Sequence, residues 1–444
     1  MRNALPRKGV SMRVSPFLWL IASLSITDTC LAEVTFTRDV QPILARRCQM
    51  CHRPGEAAPM TFTTYQETRP WAQAIREAVL TGKMPPWFAN PAYGTFSNDR
   101  SMPKEEAAVL AEWATTGAKE GDPKTAAGPP QFVEGWNIGQ PDVIYEMPVD
   151  FQVPATGVVP YMFFVVPTGF KEDRWVEKIE VRPGNRSVVH HAVVQVRALG
   201  TQYLMDARPG IPLPDVPVEP KTGEDKGVGE FGFPLGKGVE VAAVYVPGSV
   251  GDSGKPGHAR LVKAGSDLIF EIHYTPNGKP AADRTRVGIT FSRQPPVQRV
   301  LNALVANERL RIPAGASNHE VRAKVELHRD VSVISLFPHM HLRGRSFRFL
   351  ARYPDGKSEV LLDVPGYTFN WQLTYTLKDP KWLPKGSVLE CVAHYDNSAN
   401  NPFNPDPSKE VRWGNQTWEE MLIGFVDFAI PADADPAEIE AASK

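Results

Sequence analysis

The sequence predicts a multidomain chain: a small all-α unit, then two all-β antiparallel sandwiches of jelly-roll-like build. Three observations lead there. At 444 residues the chain exceeds what one hydrophobic core usually holds. Apolar residues recur at helical spacing between residues 38 and 116, whereas beyond 132 short runs rich in Val, Ile, Phe and Tyr alternate with Pro and Gly turns. Between them, residues 121–131 have no apolar periodicity and read as a semi-rigid linker.

The N-terminal 32 residues read as an export signal. Arg2, Arg7, Lys8 and Arg13 precede an apolar run over 16–26, and Cys30-Leu31-Ala32 supplies small residues before a cleavage point. The run is short of the roughly 20 residues that span a bilayer, so no stable membrane span is expected. Asp28 disfavours a lipid anchor on Cys30. A mature chain from Glu33 would be periplasmic or secreted. Lys+Arg 49 against Asp+Glu 50 gives a net charge of -1, which supplies no electrostatic reason for nucleic acid as a partner.

Residues 33–120 carry the first chemistry. Without Cys30, three of the four cysteines remain, Cys48, Cys51 and Cys391, too few for a disulfide framework. Cys48-Gln49-Met50-Cys51-His52 has the spacing at which two thiols form thioethers to haem while the following imidazole ligates iron. Val40, Ile43 and Leu44 would bring the motif in on a helix. Zinc would need further ligands, and this region has no second Cys pair or other His. Met84 follows a helix with Ile75 and Val79 on one face and is expected as the sixth ligand; Met102 is the alternative, and Met60 lies too near His52 in sequence. A closing helix over 105–116 completes a segment that resembles class I cytochrome c domains. That resemblance implies one covalently bound haem c.

The two sandwiches are expected over 132–295 and 296–444, divided at Pro295-Pro296, with strands at 161–166, 175–181, 188–196, 239–246, 268–274, 331–337, 347–353, 388–395 and 422–430. Six metal-ligand types fall on or beside them. His190 and His191 are neighbours, so a strand would point them to opposite faces, and both reach one ion only where the strand bulges. His273 shares a strand face with Glu271. His339 and His341 lie two apart and point the same way, and buried imidazoles need a partner. Met421 adds a soft thioether, and imidazoles with a thioether favour copper over hard cations.

Taken in order, His-His, His, His-x-His and Met over residues 132–430 resemble the ascorbate-dependent type II copper monooxygenases, the group of peptidylglycine α-hydroxylating and dopamine β-monooxygenases. The resemblance implies two copper ions: an electron-transfer copper on His190, His191 and His273, and a catalytic copper on His339, His341 and Met421 that meets dioxygen and substrate. The function it implies is hydroxylation of a substrate C–H bond, with an ascorbate-like reductant or redox protein as external electron donor and the fused haem delivering electrons. A haem and copper electron-transfer protein that hydroxylates nothing is the alternative.

Two departures qualify the match. The disulfides of the family are missing, and the positions that hold a peptide carboxylate there are Phe337, Ile423 and Phe425 here. With Trp418 these suggest a small apolar or aromatic substrate. His258, His319 and His328 read as surface or loop residues, and Cys391 near His394 as a buried free thiol.

Overall fold

The computed structural model describes Met1, Gly9 and residues 33–435, apart from 127, 129–131, 134, 215–237, 250, 252 and 253. The expected export segment 1–32 lies, but for Met1 and Gly9, outside the described residues. Among the described residues the chain is mostly β-sheet, with the helices gathered before residue 126. Among the described residues no helix is long and apolar enough to cross a membrane.

Helices Gln41–Arg47, Ala72–Leu80 and Lys104–Thr115 form the helical unit. Ile43, Leu44, Ile75, Val79, Leu110 and Trp113 are all buried in one core, which is why the 3.6-residue spacing was readable. The unit closes on itself where Phe36 N and Thr37 N donate to the carbonyls of Lys119 and Glu120, at 2.9 and 3.0 Å.

All nine expected strands are present, with ends shifted by three residues or fewer. Their arrangement is more unified than two separate sandwiches. One eight-stranded sheet runs through the whole β region, in the order Val143–Glu146, Arg286–Phe291, Arg174–Arg182, His258–Val262, Gln298–Ala306, Ile423–Pro431, Val331–His339 and Tyr375–Leu383. A five-stranded sheet, which includes Asp267–Tyr274 and Val189–Arg197, packs on the first half through a core containing Phe164, Phe270 and Ile272. A four-stranded sheet with Val388–Tyr395 at its centre packs on the second half around Phe347, Phe349 and Phe428. At Gly424 these layers come so close that a Cβ would strike Cys391 Sγ and the Phe349 ring.

The halves meet inside the long sheet, where Gln298 and Arg299 pair in parallel with His258 and Ala259. Arg260 seals the junction. It bonds Glu240 at 3.2 Å and Asp427 at 2.8 Å, and Asp427 also takes Asn302 Nδ2 at 2.9 Å and Ser335 Oγ at 2.8 Å. The expected division at Pro295-Pro296 falls between strands, but the hydrogen-bonded sheet crosses it.

The segment over 121–131 is not the helical unit's single connection to the β region. Residues 85–100 leave the helices and run along the second sandwich, where Ser97 N donates to Thr376 O at 2.8 Å and Asn98 Nδ2 to Thr374 O at 2.7 Å. Trp87 and Phe96 pack on Tyr375 at 4.9 and 5.5 Å between ring centroids. Burial of these aromatics and pairing of otherwise free backbone fasten the arm. On the other side an ion pair joins Arg186 to Glu56.

Candidate functional site

The first histidine set rests on a local irregularity. Strands Val189–Arg197 and Asp267–Tyr274 pair antiparallel with His191 opposite His273, but the register slips between Val189 and His191. His190 is the extra residue of that bulge, and the bulge turns its side chain to the same side as its neighbour's. The three rings then converge, with centroids 4.9–5.3 Å apart. One nitrogen from each lies within 4.8 Å of the others. Tyr161 packs edge-on to His273 at 4.7 Å and to His191 at 5.7 Å.

The second set lies where strand Val331–His339 ends. His339 pairs with Ile423 across the sheet, the last pair of that ladder, with His341 two residues further along the chain and Met421 two residues before Ile423. Glu420 ties them. Its Oε2 accepts from His341 N at 2.9 Å and Met421 N at 3.3 Å, and its Oε1 from Arg343 N at 2.7 Å. His339 and His341 stand edge to face at 5.2 Å, and Met421 is 6% exposed. His339 Nδ1 is held by Gln372 Oε1 at 2.6 Å, and His341 Nδ1 faces the Glu419 carbonyl at 3.3 Å.

Burial makes these imidazoles neutral. It lowers His190 and His339 to about 4 and His273 to about 3, and it takes His191 and His341 well below the usual histidine range. A neutral imidazole is a metal ligand. Two ring nitrogens, His190 Nδ1 and His341 Nε2, are buried without a hydrogen-bond partner among the described residues. Such an orphan costs on the order of 1–3 kcal/mol unless something else bonds it, and a metal ion at each set would.

Residues 365–374, between two strands, join the sets. Tyr367 OH accepts from Met340 N at 3.0 Å and donates to Met340 O at 2.6 Å, while Gln372 holds His339. Between these contacts, Phe369 stacks on His190 at 5.5 Å and meets His341 at 6.1 Å. Sequence reasoning missed Tyr161, Phe369, Gln372 and Glu420. A loop aromatic and a glutamine carry no periodic signal, and only the fold shows what they touch.

The Cys48-x-x-Cys51-His52 motif follows helix Gln41–Arg47. His52 stacks on Phe62 at 4.4 Å, and its Nδ1 lies 3.2 Å from Met60 O, which leaves Nε2 for a ligand. Both cysteines are free of disulfides. Cys48, Cys51, His52 and Met84 line one cavity of about 1130 Å³, more than the ~300–1,000 Å³ of ordinary small-molecule sites. Met102 packs instead on the helical core. The volume, the apolar wall of Ile75 and Val79, and the ligand-ready His52 fit a haem.

Phe337 and Phe425 face each other across the sheet at 5.4 Å and flank His339 at 6.4 and 6.0 Å. Both line the same cavity. Ile423 is buried, but Trp418 is 48% exposed, so it is not part of an enclosed apolar pocket. Cys391 is a buried free thiol as expected, and His394, three residues on, bonds Ser346 Oγ at 3.2 Å.

No family model and no curated protein matches the chain. Among solved structures it is similar to the VP2 subviral particle of infectious bursal disease virus, with 8% identity over 68% of this chain and 75% of that one, at a TM-score of 0.20. It is also similar to the major capsid protein P2 of bacteriophage PM2, with 8% identity over 68% and 99%, at 0.22. A putative secreted protein from Eubacterium rectale gives 7% identity over 64% and 69%, at 0.18. Scores this low carry no argument about fold or function.

Proposed function

We propose that the chain is an exported copper-dependent monooxygenase with a fused cytochrome c unit, hydroxylating a C–H bond of a small apolar or aromatic substrate. One observation carries this reading: two histidine sets, each with a buried, orphaned ring nitrogen, both meet the ring of Phe369. His190, His191 and His273 would hold one copper; His339, His341 and Met421 would hold the other. Copper supplies one-electron steps and dioxygen activation, and haem c supplies electrons.

The chain's own residues do the rest. Gln372 and the Glu419 carbonyl fix the ring orientations of His339 and His341, the outer-shell role that keeps a ligating imidazole in place. Glu420 positions the backbone of the second set from beneath. Phe337 and Phe425 present aromatic faces beside His339, where an apolar substrate would be held and water excluded. The jelly-roll build of each sandwich belongs to the same reading.

The test is in three measurements on purified protein: copper per chain, acid-stable haem, and incorporation of label from dioxygen into an apolar or aromatic product. Two coppers, covalent haem and one labelled oxygen atom per product are expected. Two coppers and haem without labelled product would favour the electron-transfer alternative, and absence of copper would overturn both.

A further inference from the structure

The cavity lined by the Cys48-x-x-Cys51-His52 motif is not enclosed by the helical unit alone. Its far side is built by the β region, by residues 187–190, 241–244, 246 and 247 together with others that include Phe337 and Phe425. Of the six candidate ligands in the two histidine sets, His190 alone lines it. The approach is close. A Cβ at Gly248 would lie 3.0 Å from Cys51 Sγ, and Arg100 Nη2 donates to Gly248 O at 2.5 Å. The ion pair of Arg186 with Glu56 and the stacking of Arg53 over Phe132, 4.0 Å from its centroid, hold the same seam.

We propose that the segments 187–190 and 241–247 are the second wall of the haem pocket, so that a haem on Cys48 and Cys51 is held between helices and sheet with His190 at its edge. The inference rests on reading the cysteine motif as a haem attachment site and goes beyond it in giving the haem a fixed place. Apolar side chains such as Val241, Val244 and Val246 suit a porphyrin face. In that position the residues 187–190 would bring a haem on Cys48 and Cys51 next to a metal held by the triad, and the haem would supply electrons to a copper there. No bond is made or broken, and no domain has to travel.

Dipolar relaxation tests this without turnover. Full-length protein with ferric haem is prepared in two backgrounds, His339→Ala with His341→Ala to leave only the triad, and His191→Ala with His273→Ala to leave only the other set. Each is loaded with copper, with and without the haem-removing pair Cys48→Ser and Cys51→Ser. Ferric haem, the faster-relaxing spin, is expected to raise the microwave power that half-saturates the copper signal of the triad well above the haem-free control, and to raise it more than for copper on the other set. Equal effects, the reverse order, or no effect with triad copper demonstrably bound overturns the inference. A second variant, Ala243→Phe, should shift the haem's Soret band and reduction potential with triad copper binding unchanged; a silent spectrum in folded protein counts against the shared wall. Wild-type protein without covalent haem overturns the haem reading itself, an outcome distinct from haem present but indifferent to copper.

Discussion

Phe369 lies stacked on His190 at 5.5 Å and meets His341 at 6.1 Å, so one side chain touches a candidate ligand of each set. Phe369→Ala should leave both sets able to bind copper, because the strands and Glu420 position the histidines. The ring is only half buried, so the loss should be below the ~3–5 kcal/mol of a fully buried Phe. Copper stoichiometry and thermal melting check this. Loss of copper from both sets would mean that the ring assembles the site and does not merely separate its parts.

Copper or zinc should stabilise the protein through the orphaned nitrogens of His190 and His341. At free metal about 100-fold above Kd, one site contributes about 2.7 kcal/mol. Calorimetry with and without chelator reads the effect, and it should shrink in His191→Ala, which removes a triad ligand. A melting temperature indifferent to metal contradicts both sites.

Acid should weaken the metal-free protein. His190, His273 and His339 stay neutral down to about 3–4 when folded. Unfolded, they titrate near about 6.5. Below that pH the unfolded chain binds more protons than the folded one, so stability falls as pH drops from about 7 towards 4. Melts of chelated protein across that window should show the slope, and metal-loaded protein should resist it until protons displace the metal. A flat chelated profile would show that these imidazoles are not buried neutral.

Glu420→Gln should separate the two sets. Burial pushes this carboxyl up to about 7, and it still accepts backbone hydrogen bonds from His341, Arg343 and Met421. A glutamine offers one oxygen and turns its amide NH2, a donor, towards another N–H, a loss of about 1–3 kcal/mol. Copper affinity at His339, His341 and Met421 should fall while the triad's is unchanged. Titration of each set in isolation decides it, and equal weakening of both would refute the assigned role.

The strands were legible because alternation with turn residues survives in a half-buried sheet, as in Val388–Tyr395, which matches its expected bounds. Gln298–Ala306, with its Leu, Ala and Asn, reads equally well as a helix, and its strand state comes from pairing with Ile423–Pro431. The need for a bulge at His190-His191 followed from strand geometry, and the slip of register supplies it. What sequence could not reveal is what depends on long-range contact: the arm of residues 85–100 on Tyr375, the ring of Phe369, and the one sheet that both sandwiches share. His-x-His spacing is visible along a chain; the Gln372 that orients His339 is 33 residues away.

The parallel pairing of Gln298 and Arg299 with His258 and Ala259 also bears on how the chain reaches its native state. Neither half has a finished boundary of its own. A fragment ending at residue 295 would expose the His258–Val262 edge as open backbone and strip Arg260 of Asp427, leaving a template for self-association. A newly made chain therefore keeps that edge unpaired at least until residues 298 and 299 have been made.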